Sequence, residues 1–200
     1  VGGVLGSNVA NVMLVLGSAA IIGVGTQSND GIRRDSVAVM VATLFMAIFV
    51  SMGEVPLLGG ITMILCLIGY YYYTYTKAVV EEGDFDFEET WLPNNISIAI
   101  PACLIGGMMI WFGAELLVSG SKGIAQRFGV SEAVIGLTIV ALGTSLPELA
   151  VTLVAGLRGQ GGVAVGNVLG SNVMNIMGII GIASIIGNGI PVDNEFSRDI

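Results

Sequence analysis

Six stretches of this chain are apolar over roughly the 20 residues that an α-helix needs to cross a bilayer. They lie near residues 2–25, 36–53, 57–77, 97–120, 131–157 and 162–187. The predicted fold is therefore all-α, a polytopic membrane protein with six transmembrane helices. Composition agrees: 54% of the chain is hydrophobic and 11% is charged, against about 25% charged in an average soluble domain. The 30 glycines suit close helix packing in lipid, where small residues let backbones approach.

The connections are short except for 78–96, an acidic loop. Glu81, Glu82, Asp84, Asp86, Glu88 and Glu89 supply most of the net charge of −8. No basic patch suited to nucleic acid is present. Histidine is absent, which removes the usual proton shuttle and the commonest transition-metal ligand. Cys66 and Cys103 lie in apolar runs and read as packing residues. Tyr70 to Tyr73 and Tyr75 end the third span, Trp91 sits just before the fourth, and together they read as an interfacial aromatic belt. Val1 opens directly into an apolar motif with no charged leader, which does not fit a signal peptide and reads as a cut inside a longer protein.

An internal repeat divides the chain. A shift of 164 aligns Val1-Gly2 with Val165-Gly166 and Leu5-Gly-Ser-Asn-Val9 with Leu169-Gly-Ser-Asn-Val173. It also aligns Asn11 with Asn175, Met13 with Met177, Gly17 with Gly181, and Ile21-Ile-Gly23 with Ile185-Ile-Gly187. Arg34-Asp35 meets Arg198-Asp199. The copies fall in spans one and six, an odd number of crossings apart, so they enter the membrane from opposite sides. Inverted repeats of this kind are a secondary-transporter architecture, with the site near the midplane between repeats. The expected division is 1–77 for the later part of a first repeat with three helices, 78–96 for the acidic loop, and 97–200 for a truncated second repeat with three helices. The helix at 131–157 has no counterpart in the first copy, whose partner would precede Val1.

A carboxylate within an apolar span costs roughly 2.5–3.5 kcal/mol to insert, which marks it as functional. Glu148 is such a residue, in the run Thr138-Ile-Val-Ala-Leu-Gly-Thr-Ser-Leu-Pro-Glu148. Thr144 and Ser145 lie four and three residues earlier, so the three oxygens are expected on one helical face. Pro147 crowds the Gly143 carbonyl and should loosen the helix, freeing carbonyls there and near Ala141. Ser7 and Asn11, and their twins Ser171 and Asn175, each stand four apart and present a hydroxyl and an amide from one face. Asn8 and Asn172 lie about a quarter turn away and would cap broken helices or bond between repeats. One carboxylate among hydroxyls and carbonyls is a hard-oxygen set suited to Ca²⁺, Na⁺ or Mg²⁺. Glu115 is a second intramembrane acid, placed outside this set. Glu54, at a span end, should meet water.

These residues resemble the cation/Ca²⁺ exchanger superfamily, and in particular bacterial sodium/calcium exchangers. The resemblance rests on Gly143-Thr-Ser-Leu-Pro-Glu148, Gly166-Asn-Val-Leu-Gly-Ser-Asn-Val-Met-Asn175 and Gly6-Ser-Asn-Val-Ala-Asn11. It extends to Gly113-Ala-Glu-Leu-Leu-Val118 and Gly129-Val-Ser-Glu-Ala-Val-Ile-Gly-Leu-Thr138. It implies a fold of ten helices, of which this chain would be the third to the eighth, and antiport of Ca²⁺ against Na⁺. It implies ion ligands at Thr144, Ser145, Glu148, the Ala141 carbonyl, Ser171, Asn175, Ser7 and Asn11. It places the family's other central Glu on a helix before Val1, so these 200 residues would not transport alone. Some members carry Asp where Asn175 stands here, which lowers the charge of the site.

The expected surroundings are a lipid bilayer of the cell's inner membrane and the missing helices of the same polypeptide. Ca²⁺ and Na⁺ would be substrates, with no cofactor. A cation/H⁺ antiporter, with Glu148 as proton carrier, and a channel or membrane scaffold are the competing classes. Ser7 and Ser171 have no His or Lys base nearby, which speaks against an intramembrane hydrolase. Arg33, Arg34, Lys77 and Arg158 on one side, against Lys122, Arg127 and Arg198 on the other, weakly place the acidic loop in the cytoplasm.

Overall fold

The computed structural model describes residues 1–24, 30–80, 95–129 and 141–192. The acidic run at 81–89, Trp91, residues 131–140 of the fifth expected span, and Arg198-Asp199 lie outside these residues. The chain opens with α1 (Gly2–Ala10), which runs through a π-helical segment (Asn11–Leu16) into α2 (Gly17–Ile21). Then come α3 (Asp30–Met52), a two-residue strand β1 (Glu54–Val55), α4 (Leu57–Val80) and α5 (Ile96–Arg127). A short α6 (Ala141–Thr144) precedes α7 (Leu146–Leu157). The described chain ends with α8 (Gly161–Val173), a second π-helical segment (Met174–Ile180), α9 (Gly181–Ile186) and the strand β2 (Ile190–Pro191).

Among the described residues, five continuous helical stretches are long and apolar enough to cross a membrane: Gly2–Ile21, Asp30–Met52, Leu57–Lys77, Ile96–Arg127 and Gly161–Ile186. They match five of the six expected spans, two of them extended. Of the fifth expected span, 131–157, the described residues include α7, an apolar helix. The extension of α3 back to Asp30 puts Arg33 and Arg34, which precede the expected span, inside the helix. Asp35 is buried there. Its Oδ1 accepts from Arg34 Nε at 2.8 Å and from the Tyr70 hydroxyl at 3.0 Å. Tyr70 is thus also a bonded partner of α3, while Tyr71, Tyr72, Tyr73 and Tyr75 are exposed as a belt requires.

The core lies where α3 and α4 meet the last transmembrane stretch. Ala42, Met46, Phe49 and Val50 of α3 join Met63 and Leu67 of α4, and Val173, Ile176, Met177 and Ile180 of the second twin. Elsewhere large apolar side chains face outward; α5 buries none. In a bilayer that exposure carries no hydrophobic penalty, because lipid tails are as apolar as leucine. Asn95 caps α5, its side chain accepting from Ser97 N–H at 3.0 Å.

A small latch ties the turn after α3 to the end of α9. Glu54 and Val55 pair antiparallel with Pro191 and Ile190. The Val192 N–H donates to the Gly53 carbonyl at 2.9 Å. Ser184 is fully buried, and its hydroxyl reaches the Val55 and Pro56 carbonyls at 3.0 Å each. Glu54 is exposed, as expected of a residue meeting water. Alongside the latch α4 and α9 touch backbone to backbone: a Cβ on Gly60 would lie 2.8 Å from the Gly181 carbonyl oxygen and from Ser184. Gly60→Val is therefore expected to lower stability by about 1–3 kcal/mol through overpacking. Thermal unfolding in detergent checks this, with Gly107→Val on the open face of α5 expected to leave the midpoint in place.

Candidate functional site

Pro147 breaks its helix more sharply than a kink. α6 ends at Thr144, Ser145 turns, and α7 starts anew at Leu146 with Pro147 in its first turn. There the missing N–H of proline costs nothing, because first-turn donors have no intrahelical acceptor. The single helical face expected to carry Thr144, Ser145 and Glu148 is accordingly split over two pieces. Thr144 ends exposed, Ser145 is fully buried, and Glu148 sits in the first turn of α7. That position favours a carboxylate, since the N-terminal end of a helix carries partial positive charge.

The twins meet across this break. Shifted by 164, the second π-helical segment occupies positions 10–16, against 11–16 for the first. Both therefore widen at the repeated Asn. A π turn is rare outside functional sites. It re-aims the side chains that follow without ending the helix. Nothing in the residue order marks this widening.

Hydrogen bonds join the two segments. Asn11 Nδ2 donates to Asn172 Oδ1 at 2.9 Å, and Asn175 Nδ2 donates to Asn8 Oδ1 at 3.0 Å. Asn8 Nδ2 donates to the Asn172 carbonyl at 3.3 Å. Three residues forward on one twin thus pair with three residues back on the other, the order of segments crossing antiparallel. Ser7 Oγ and Ser145 Oγ are 3.2 Å apart, and Asn175 Nδ2 lies 3.5 Å from Ser7 Oγ. Ser145 Oγ also donates to the Ser7 carbonyl at 3.2 Å. Ser171 Oγ donates to Glu148 Oε1 at 2.6 Å, the short distance of a hydrogen bond to a charged acceptor.

Six of the eight expected residues therefore meet at this junction through the bonds above: Ser7, Asn11, Ser145, Glu148, Ser171 and Asn175. Ala141 lies in α6, before Ser145 in the chain. Thr144 stands beside them but exposed. Among the described residues, three buried side-chain oxygens lack a hydrogen-bond partner: Asn11 Oδ1, Glu148 Oε2 and Thr74 Oγ1. Two of the three belong to this cluster. The one ion pair among the described residues is Arg34–Asp35, so none of their cations neutralises Glu148. A buried acceptor left empty costs about 1–3 kcal/mol, and more when charged. Bare carboxylate and amide oxygens amid hydroxyls make a seat for a hard cation.

Sequence reasoning missed two residues here. Asn167 Nδ2 donates to the Glu148 carbonyl at 3.2 Å and to Thr152 Oγ1 at 3.1 Å. Thr152 is fully buried and its hydroxyl donates to the Ala164 carbonyl at 3.4 Å. The signal was present, because Asn167, Ser171 and Asn175 are spaced by four, as are Glu148 and Thr152. The repeat hid it: Asn167 aligns with Gly3 and so has no twin. Glu115 is exposed on α5, away from the cluster's bonds.

The family model for the sodium/calcium exchanger protein matches residues 1–76 and 98–200. The chain is 32% identical over 199 residues to a putative antiporter, CaxA, of Alkalimonas amylolytica, covering 95% of this chain and 61% of that one. It is 35% identical over 196 residues to an uncharacterized membrane protein of Methanocaldococcus jannaschii, covering 97% and 62%. A solved structure of the sodium-calcium exchanger NCX_Mj, soaked with Na⁺ and Sr²⁺, superposes with a TM-score of 0.76 at 32% identity, over 97% of this chain and 62% of that one. The chain thus spans about three fifths of the length of these relatives.

The Asn167 bridge gives a direct test of how α8 holds α7 in place. Asn167→Ala removes two hydrogen bonds and is expected to cost about 1–3 kcal/mol. It should lower the melting midpoint in detergent; an unchanged midpoint would show that the bridge carries no stability.

Proposed function

The chain belongs to the sodium/calcium exchanger family, a family of membrane transporters, and from that premise we propose that it carries ion ligands of a secondary antiporter exchanging Ca²⁺ for Na⁺ by alternating access. The observation that carries this reading is the pair of buried, unpartnered oxygens, Glu148 Oε2 and Asn11 Oδ1, in a cluster with no neighbouring cation among the described residues. In this reading Glu148, Ser145, Ser171, Asn175, Ser7 and Asn11, with Thr144 and the Ala141 carbonyl, take the place of an ion's hydration shell.

One Ca²⁺ or several Na⁺ then compete for the same oxygens. Exclusive occupancy couples the two fluxes without any chemical step, while the repeats move against one another. Residues 1–77 and 97–200 are the two repeat portions, joined by the acidic loop. The inner membrane is the proposed location. A further carboxylate from a helix preceding Val1, as the resemblance implies, would bring the charge of the site close to that of one Ca²⁺.

Radiolabelled Ca²⁺ flux in vesicles containing the complete exchanger tests this. Glu148→Gln keeps the shape but removes the charge, and is expected to reduce Na⁺-gradient-driven uptake by about tenfold or more, the equivalent of at least 1.4 kcal/mol. Normal Na⁺-driven uptake in that variant would remove Glu148 from the site. Uptake driven by a pH gradient without Na⁺ would point instead to a cation/H⁺ antiporter.

A further inference from the structure

An amide side chain is two-ended. Its oxygen can bind a cation and its NH₂ cannot. For Asn11 and Asn175 to act as ligands, something must fix which end faces the ion. Asn11 is fully buried, with its Nδ2 held by Asn172 Oδ1 at 2.9 Å and its Oδ1 left without a partner. Asn175 is held by Nδ2 in the same way, on Asn8 Oδ1 at 3.0 Å. The two bonds are images of one another under the offset of 164, which carries Asn8 onto Asn172 and Asn11 onto Asn175. The later Asn of each twin is gripped by the earlier Asn of the other. Asn8 is itself anchored, donating to the Asn172 carbonyl at 3.3 Å.

We propose that Asn8 and Asn172 are positioning residues that lock Asn175 and Asn11 in the flip that presents oxygen, and not NH₂, to the transported cation. This inference rests on the ion-site reading above. The physical reason is the symmetry of the alternatives. If Asn11 flipped, its oxygen would face Asn172 Oδ1 with no hydrogen between them. Its NH₂ would then occupy the place of the free acceptor. Both changes are unfavourable while Asn172 keeps its side-chain oxygen toward Asn11. The side-chain oxygens of Asn8 and Asn172 are spent on amide donors, so these residues act through their neighbours.

A double-mutant cycle on the complete exchanger in proteoliposomes tests this. Asn172→Leu removes the acceptor and is expected to raise the KM for Ca²⁺ about tenfold, near the worth of a hydrogen bond to a buried group, with a smaller change in maximal rate. Asn11→Asp offers an oxygen whichever way it turns. Adding Asn172→Leu to an Asn11→Asp background should therefore raise KM by less than about threefold. A merely structural role for Asn172 would give the same increase in both backgrounds, and that result overturns the proposal, as does an unchanged KM in Asn172→Leu alone. If Asn172→Leu does not fold, the twin cycle of Asn8→Leu with Asn175→Asp decides by the same criteria. Asn11→Ala and Glu148→Gln separate the two levels of the reading. An unchanged Ca²⁺ KM in both rejects the ion site itself. A raised KM in both, with Asn172→Leu silent, rejects only the orientation lock.

Discussion

Hydrocarbon offers no hydrogen bonds, and every polar atom in this chain's membrane-crossing part must be answered from within the protein. Most are answered within the helices. A large group of the exceptions gathers around the two π-helical segments and the break before α7. These are the places where side chains of one twin reach the other. The amides of Asn8, Asn11, Asn172 and Asn175 satisfy one another, and Ser7, Ser145, Ser171 and Glu148 close the cluster. Against that background the empty acceptors at Glu148 and Asn11 stand out, because nearly every other polar group around them has been satisfied.

The rest of the architecture holds this junction in place. α3 and α4 pack on the second twin through a continuous apolar core, and the β1–β2 latch pins the end of α9 to the turn between α3 and α4. α8 grips α7 through Asn167, Thr152 and the Ala164 carbonyl, which fixes the helix start that carries Glu148. Packing in lipid gains little from hydrophobicity, so these contacts rely on close approach and on hydrogen bonds. Gly60 against Gly181 and Gly143 against Val118 are both sites where a Cβ would collide with its neighbour. A second polar cluster, Arg34–Asp35–Tyr70, joins α3 to α4 well apart in sequence from the twin segments.

What could be read directly from residue order was whatever depends on periodicity and composition. Apolar run length gave the spans, and the offset of 164 gave the twins, because inverted copies of one helix preserve the residues that meet at their shared interface. Glu148 was legible from cost alone, as an unneutralised acid in an apolar run. Asn167 escaped because the repeat was the filter and Gly3 stands at the matching position. Asp35 and Tyr70 escaped because each has an ordinary local explanation, one at a helix end and one in an aromatic belt. Only their contact reveals them as a pair.

The sequence by itself determined that this chain spans a membrane as helices, that it contains an inverted repeat, and which oxygen-bearing residues the repeat duplicates. Those follow from local rules: the length of an apolar helix and the parity of its crossings. Tertiary structure alone decided that Pro147 starts a helix where a kink was expected, that both twins widen to π-helix at the repeated Asn, and which end of each amide points outward from its partner. The last depends on atoms brought together from more than a hundred residues apart. A side-chain amide has no preferred flip until another chain segment supplies the acceptor that holds its NH₂.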